Sequence, residues 1–255
     1  DCPLDPPACA PDPCSAALAF PPPGQCELCE AGGRGMSAAG SAEVQFTERP
    51  SGERLAFRQV EGAEPTLVFL PGYKSDMAGS KATMLFDRAA DAGRAALLFD
   101  YAGCGASGGA FEDQTLESFL ADTLHVIDER TQGALILVGS SMGGWLMLLA
   151  ALALGPRVAG IVGIAAAPDF TRWGFTPEQV AQFERGETVY EANEYGPEPT
   201  PTTAAFWRSG EANLLLDGPI AIDCPVRLLH GQCDADVPHP VSLKLAAALR
   251  SDDVQ

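Results

Sequence analysis

The sequence is poor in positive charge. Lysine and arginine together number 16, against 34 aspartate and glutamate residues, so the formal net charge is −18 over 255 residues. Proteins that bind nucleic acids draw much of their affinity from clustered lysine and arginine side chains that neutralise phosphates. The composition therefore argues against a nucleic-acid partner.

Long hydrophobic runs are also absent. The longest, from Trp145 to Leu154, has ten residues, about half of the ~20 that a membrane-spanning helix needs. The first residues lack the basic start and the apolar stretch that mark a secretory signal. From these absences we expect a protein without a membrane span and with a cytoplasmic location.

Cysteine and proline are concentrated in the first 35 residues. Five of the eight cysteines lie there, at Cys2, Cys9, Cys14, Cys26 and Cys29. Two thiolates at the spacing of Cys26 and Cys29 suit tetrahedral zinc, but the spacing of Cys9 and Cys14 fits poorly and no histidine is near. We interpret residues 1–35 as a disordered or artefactual leader, with zinc as the alternative, and expect neither metal nor cofactor in the domain that follows.

From residue 41 onward, short apolar runs alternate with helical patterns. The predicted strands are an opening hairpin of Val44–Thr47 and Leu55–Val60, then Thr66–Leu70, Ala95–Phe99, Ala134–Val138, Val158–Ile164 and Val226–Leu229. The later runs are apolar on both faces, as in buried parallel strands, and apolar residues recur at helical spacing from Leu116 to Ile127. The pattern predicts an α/β domain over residues 36–255, with a mostly parallel sheet and helices on both faces.

One long interval, about residues 168–223, interrupts the alternation between the last two predicted strands. It contains much of the chain's aromatic content, including Phe170, Phe183, Phe206 and Trp207. Long aromatic connections in a compact domain are more often lids or binding loops than filler. We therefore predict a helical cap insertion whose aromatic side chains line a pocket for an apolar group.

The clearest functional signal is the turn Gly139-Ser140-Ser141-Met142-Gly143, which joins a predicted strand to an apolar helix. It matches the G-x-S-x-G nucleophile elbow, a tight turn that lifts a serine hydroxyl above a sheet. Small residues are needed two positions before and after the nucleophile, and only the register centred on Ser141 meets this. The turn predicts Ser141 as the nucleophile of a hydrolase; a glycine-rich turn without a catalytic role is the alternative.

Two other segments supply further parts of such a site. Pro71-Gly72-Tyr73 follows a predicted strand where these enzymes aim a backbone N–H at the reaction centre, so the Tyr73 and Met142 amides are predicted to form the oxyanion hole. The acid is expected after a late strand, because the chain order is nucleophile, acid, histidine. We predict Asp234 as this acid, with Asp236 as the alternative.

A glycine-rich segment, Asp100–Gly108, follows another predicted strand. It lacks the directly following helix and the acidic partner of a dinucleotide-binding motif. We interpret it as a flexible loop of the scaffold.

Three segments together resemble one family: Phe69–Met77, Phe99–Ser107 and Val138–Trp145. They are similar to the mitochondrial palmitoyl-protein thioesterases, also called mycophenolic acid acyl-glucuronide esterases, and their bacterial relatives in the α/β-hydrolase superfamily. The resemblance covers roughly residues 41–255. It implies cleavage of carboxylic esters or acyl thioesters of small-molecule or acylated-protein substrates, without a cofactor, through an acyl-enzyme on Ser141 with Asp234 as the acid.

The histidine base is the part for which the sequence offers no clear residue. In the family it lies in a Gly-Asp-His segment after one more strand, and this chain ends at Gln255, where that strand should begin. We therefore expect the last strand, the last helix and the base beyond Gln255, with His239 as the alternative and His125 and His230 as structural residues. A hypothesis of a different class is a hydrolase-fold protein that binds an acyl group without cleaving it.

Overall fold

The computed structural model describes residues 42–192 and 198–255. The predicted leader, residues 1–35, and its alternative zinc site lie outside these residues. The strands are β1 Gln45–Glu48, β2 Arg54–Val60, β3 Ala63–Leu70, β4 Arg94–Phe99, β5 Leu135–Ser140, β6 Val158–Ile164, β7 Val189–Glu191, β8 Thr200–Thr202 and β9 Val226–Leu229. The α-helices are α1 Ser80–Asp91, α2 Leu116–Arg130, α3 Met142–Leu154, α4 Phe170–Trp173, α5 Pro177–Glu184, α6 Ala204–Ala212 and α7 Pro240–Ala248.

Seven strands form one sheet in the order β1-β2-β4-β3-β5-β6-β9. The strands β1 and β2 pair antiparallel, as do β2 and β4, and the remaining pairs are parallel. The predicted opening hairpin and mostly parallel sheet are therefore confirmed. At the β9 edge, the N–H of Gln255 donates to Val226 O at 3.1 Å, and its carbonyl accepts the N–H of Leu228 at 2.7 Å.

Side chains alternate between two layers of core on the two faces of the sheet, as the period of two in a strand requires. On β3, Val68 and Leu70 pack with α2 and α3 in the larger layer, whereas Phe69 packs with α1 in the smaller one. On β4, Leu97 packs in the larger layer and Leu98 in the smaller one. Because helices cover both faces, the central strands are apolar throughout, which is why their positions could be predicted from sequence.

The interval between β6 and β9 contains α4, α5, the antiparallel hairpin of β7 and β8, and α6. Phe183 stacks on Trp207 with ring centroids 5.6 Å apart, and Phe206 is buried in the larger core layer. The interval is thus a small, mainly helical assembly with its own apolar contacts. Within the part of the chain that the structure describes, no helix has the length and apolar character needed to cross a membrane.

A buried carboxylate on α2 ties this helix to two loops. Asp122 is fully buried; its Oδ2 accepts the N–H of Ala102 at 2.9 Å, and its Oδ1 lies 3.0 Å from Nη1 of Arg49. Burial raises the pKa of Asp122 to about 6, although the Ala102 N–H and Arg49 oppose the shift. Between the ordinary pKa of 3.8 and this raised value, the folded state binds more protons than the unfolded state.

Asp122→Asn should therefore change how stability depends on pH. The free energy of unfolding of the wild type should rise relative to that of the variant, by about 2 kcal/mol as the pH falls from 7 to about 4, since one pKa unit corresponds to about 1.4 kcal/mol and the unfolded carboxylate is itself partly protonated at pH 4. Urea unfolding of both proteins across this range measures the difference.

Asp223→Asn is the control for this measurement. The hydrogen bond from Arg250 lowers the pKa of the exposed Asp223 below 3.8, so the difference between wild type and this variant should stay nearly flat over the same range. A flat or opposite slope for Asp122→Asn would contradict the effect assigned to burial.

Candidate active site

The predicted nucleophile, Ser141, lies at the sharp turn between β5 and α3. Its backbone has a positive φ, with φ 53° and ψ −121°, a conformation that costs a residue with a side chain on the order of 1–3 kcal/mol. The Ser141 N–H donates to Ile164 O at 3.0 Å, and its carbonyl accepts the N–H groups of Gly144 at 2.8 Å and Ala167 at 3.0 Å. The turn is thus fixed from β6 as well as from its own helix.

The two glycines of the elbow are required sterically. A Cβ on Gly143 would collide with the carbonyl oxygen of Leu70 at the end of β3, and a Cβ on Gly139 would collide with the carbonyl of Gly143. Both positions are therefore closed to a side chain. This agrees with the register that predicts Ser141, since the alternative register would place Val138 and Met142 at the two crowded positions.

The loop after β3 passes directly against the elbow. A Cβ on Gly72 would lie 3.4 Å from Ser141 Cβ, so the gap between this loop and the serine has room for about one methyl group. Met142 is the first residue of α3, where backbone N–H groups have no acceptor within the helix. Among the described residues, neither the Tyr73 N–H nor the Met142 N–H donates a hydrogen bond. Two uncommitted donors therefore lie on the segments that meet at Ser141.

The Tyr73 side chain packs against the insertion between β6 and β9. Its hydroxyl donates to Pro201 O at 3.1 Å, and its ring contacts Phe111, Phe170 and Phe206, with centroids 5.0, 5.8 and 4.8 Å away. Burial raises the pKa of the Tyr73 hydroxyl, which therefore stays protonated at neutral pH. These contacts restrain the residue whose amide is predicted to serve the oxyanion hole.

The predicted acid, Asp234, lies in the loop that follows β9. Its Oδ1 accepts the N–H groups of Val237 at 2.9 Å and Asp236 at 3.0 Å. The Val237 N–H contributes most to lowering the pKa of Asp234, which is ionised at neutral pH. Its Oδ2 lies 4.0 Å from Nε2 of His230 and accepts no hydrogen bond from the described residues. One carboxylate oxygen thus fixes the loop, and the other is available to a further donor.

His230 is part of the framework of the same loop. Its Nε2 lies 2.9 Å from Val237 O and so bears a proton, because a carbonyl only accepts. Its Nδ1 lies 2.5 Å from Oγ of Ser242 on α7. With its side chain 3% exposed, His230 joins the end of β9 to the acid loop and to α7, as a structural histidine would.

The remaining histidines are engaged away from the serine. His125 Nε2 lies 3.4 Å from Thr47 Oγ1 on β1, and the His239 ring packs edge-on against His230 at 5.6 Å. None of the three histidines in the described residues forms a hydrogen bond with Ser141. The prediction that the base lies beyond Gln255 stays a prediction.

One cleft of about 760 Å³ brings the predicted residues together. Ser141 and Asp234 both line it, as do Gly72 and Tyr73, and Met142 is buried directly after the serine. The first turn of α1, residues 79–82, forms another part of the wall, which the sequence analysis did not assign to the site. The apolar part of the wall comes from Phe69, Pro71, Ile164, Ala165, Leu229 and Val237.

The prediction that aromatic residues of the insertion line the pocket is wrong for the described residues. The cleft wall includes no side chain from α4, α5 or α6. Phe170 and Phe206 pack on Tyr73 instead, and Phe175 packs on Phe183. These rings are buried by apolar contacts within the insertion and with the core, which is more favourable than exposure to a cavity. Phe170 and Phe206 therefore support the loop after β3 from outside the cleft.

The chemistry of the cleft is that of a serine, a carboxylate and backbone N–H groups. No group of side chains placed to hold a metal ion occurs in residues 42–192 and 198–255. The arrangement suits attack by a hydroxyl on an acyl carbon, with the developing negative charge held by backbone donors.

Comparison with known proteins agrees with this arrangement. The alpha/beta hydrolase family model matches residues 67–253. The mitochondrial palmitoyl-protein thioesterase ABHD10 of Homo sapiens is 37% identical over 215 residues, which cover 83% of this chain and 70% of that protein.

Solved structures give the same result. Alpha/beta hydrolase domain-containing protein 10 from mouse superposes with a TM-score of 0.77 at 36% identity, covering 84% of this chain and 87% of that one. A putative hydrolase from Agrobacterium vitis S4 also superposes with a TM-score of 0.77, at 39% identity, covering 84% of this chain and 88% of that one.

The expected cytoplasmic location is wrong. The curated relatives from five mammals are all named as mitochondrial proteins. The expectation rested on features of secretory signals, and mitochondrial import uses a different, amphipathic and arginine-rich signal that such a test does not address.

The family match covers most of the sheet and both of its helical layers, and the relatives retain 36–39% identity over more than four-fifths of the chain. The sheet order and the strand–elbow–helix turn at Ser141 agree with that match. The chain belongs to the α/β-hydrolase family.

Proposed function

We propose that the protein hydrolyses carboxylic esters or acyl thioesters through an acyl-enzyme on Ser141. The observation that supports this most is the position of Ser141: a strained turn with positive φ at the wall of a cleft that also contains Asp234. The relatives named palmitoyl-protein thioesterase support an acyl thioester as the substrate class, on an acylated protein or a small molecule.

In the proposed reaction, the Ser141 hydroxyl oxygen attacks the acyl carbon while a histidine base takes its proton. The carbonyl oxygen becomes negative, and the N–H groups of Tyr73 and Met142 stabilise it. The C–S or C–O bond then breaks, and the base returns the proton to the leaving thiol or alcohol. Water, deprotonated by the same base, releases the acid and restores Ser141.

Asp234 has the properties of the residue that orients such a base. Its carboxylate is ionised, it is held by two backbone N–H groups through Oδ1, and Oδ2 remains able to accept the N–H of an imidazole. A carboxylate in this role fixes the tautomer of the histidine and stabilises the imidazolium that forms during attack.

The second candidate function is binding of an acyl group without turnover. One observation favours it: no histidine in the described residues forms a hydrogen bond with Ser141. A binding protein has no use for a strained serine beside two free N–H groups, so we favour the hydrolase. Covalent reaction of the serine separates the two candidates, provided that the protein tested includes the predicted histidine base; the activity measurements below use the same form of the protein.

Ser141→Ala should abolish covalent labelling by a fluorophosphonate, because Ser141 occupies the nucleophile position of the elbow. Ser140→Ala is the matched control, since Ser140 is the neighbouring hydroxyl and also lines the cleft, and it should keep most of the labelling. Gel fluorescence and mass spectrometry of the labelled peptide provide the measurement. Labelling that persists without Ser141, or that maps to Ser140, would refute the assignment.

Asp234→Asn should lower kcat/KM for an acyl ester by about 10⁴-fold with little change in KM, because the base loses its orienting carboxylate. Asp236→Asn, two residues away on the same cleft wall, should stay within a few-fold of wild type. Steady-state kinetics on p-nitrophenyl and thioester substrates measure both. A larger loss for Asp236→Asn would instead make Asp236 the acid.

Leu229→Ser should weaken the preference for long acyl chains. Leu229 lines the cleft with 59% of its surface exposed, and burial of a leucine side chain contributes about 1.5–3 kcal/mol. The variant should lose roughly tenfold in kcat/KM on palmitoyl thioesters and little on acetyl esters. Leu243→Ser is the control, because Leu243 is equally exposed, at 60%, but lies outside the cleft wall. An equal loss of kcat/KM on palmitoyl thioesters in both variants would show that Leu229 does not recognise the acyl chain.

A further inference from the structure

Two consecutive residues hold the loop after β3 at both of its ends. The Tyr101 hydroxyl donates to Pro71 O at 3.2 Å, and the N–H of Met77 donates to Oδ1 of Asp100 at 2.7 Å. Tyr101 and Asp100 are 0% and 1% exposed. The residues between the two attachment points include Gly72 and Tyr73, which line the same cleft as Ser141.

The Asp100 carboxylate is itself fixed by its own loop. Its Oδ2 accepts the N–H of Ala106 at 2.8 Å. Gly105 lies so close, at φ 51°, that a Cβ there would collide with the carboxylate. The hydroxyl of Ser107 donates to the Asp100 carbonyl at 2.7 Å and accepts the N–H of Ala56 at 2.8 Å. The segment predicted as a flexible loop is therefore a rigid support anchored to β2.

Burial of the Asp100 carboxylate has an energetic cost that its hydrogen bonds offset. Burial raises the pKa of Asp100, and the N–H groups of Ala106 and Met77 oppose that shift. Removal of one acceptor oxygen would leave a buried backbone N–H without a partner, which is unfavourable because the group has already lost its water. The loop containing Met77 thus has one strongly preferred position.

We propose that Asp100 and Tyr101 are positioning residues, which hold Pro71–Met77 so that the Tyr73 N–H points at the oxyanion formed at Ser141. This inference rests on the proposed function and adds residues that do not touch the substrate. Gly72 and Tyr73 line the same cleft as Ser141, and the space beside Gly72 that separates it from Ser141 would hold about one methyl group. Any displacement of the loop therefore moves the Tyr73 amide relative to the reacting carbon. Oxyanion donors act at about 2.7–3.1 Å, and a misplacement of ~1 Å can lower the rate about 10²-fold.

The first experiment compares Asp100→Asn and Tyr101→Phe with buried controls of the same chemistry. The control for Asp100 is Asp169→Asn, because Asp169 is buried and its two oxygens accept the N–H groups of Leu215 and Leu216, each at 2.8 Å. The control for Tyr101 is Thr123→Val, which removes a buried hydroxyl bound to Phe119 O at 2.8 Å.

Asp100→Asn should lower kcat by roughly 10–100-fold with KM within about threefold, since asparagine keeps one acceptor oxygen for two backbone N–H groups. Tyr101→Phe should lower kcat by a smaller factor in the same direction. Affinity for a trifluoromethyl ketone, whose adduct on serine places a negative oxygen at the N–H groups, should fall in parallel with kcat. Affinity for the product carboxylic acid should change little, and the controls should lose thermal stability without these changes.

The second readout does not depend on turnover. Hydrogen–deuterium exchange over residues 72–77 should be faster in Asp100→Asn and Tyr101→Phe than in wild type, and unchanged in Asp169→Asn and Thr123→Val. Unchanged exchange in the first two variants would overturn the inference even if activity falls.

The outcomes also separate this inference from the proposed function. An active wild type in which Asp100→Asn reduces kcat no more than Asp169→Asn would overturn the positioning role alone. A wild type that includes the predicted histidine base and yet neither hydrolyses esters nor reacts with a fluorophosphonate would overturn the proposed function, and the positioning role with it.

Discussion

The close approach of α3 to the end of β3 is the constraint on which the site depends. The backbone of Gly143 lies against the carbonyl of Leu70, and that of Gly139 lies against Gly143, so neither position has room for a side chain. The chain makes this turn with a positive φ at Ser141, midway between the two glycines. The strain is offset by the ladder that β5 forms with β3 and β6. As a result, Ser141 and the N–H of Met142, the first residue of α3, lie next to each other above the end of the sheet.

The features that sequence could predict are those determined by neighbouring residues or by burial on both faces. The bounds of β6 and β9 agree with prediction to the residue, because a continuous apolar run defines β6 and a short apolar run interrupted only by Arg227 defines β9. The register at Ser141 follows from the size of its close neighbours. Asp234 and Tyr73 could be placed because each follows a strand whose end lies at the same edge of the sheet as that of β5, and the structure brings both into one cleft with Ser141.

Features that depend on distant contacts could not be predicted in this way. The helices α4 and α5 are four and eight residues long, too short for a periodic pattern to show which side faces the cleft. Phe206 packs on Tyr73, which is far away in the sequence, and this contact takes the ring out of the pocket. The glycines of Asp100–Gly108 suggested flexibility, but Gly103 and Gly105 are used for backbone turns at φ 75° and 51° around a fixed carboxylate. The identity of the proposed base depends on which histidine reaches the carboxylate of the proposed acid, Asp234, and no local pattern determines that.

The contact between Gly105 and Asp100 has a consequence for how this sequence can diverge. A side chain at residue 105 would occupy the volume that the carboxylate fills, so a substitution there is tolerated only together with a change at residue 100. Loss of the carboxylate would in turn remove the acceptor of the Met77 N–H. A change at either position alone is therefore expected to be selected against. Homologues without the glycine should hold the loop beside the serine by a different contact.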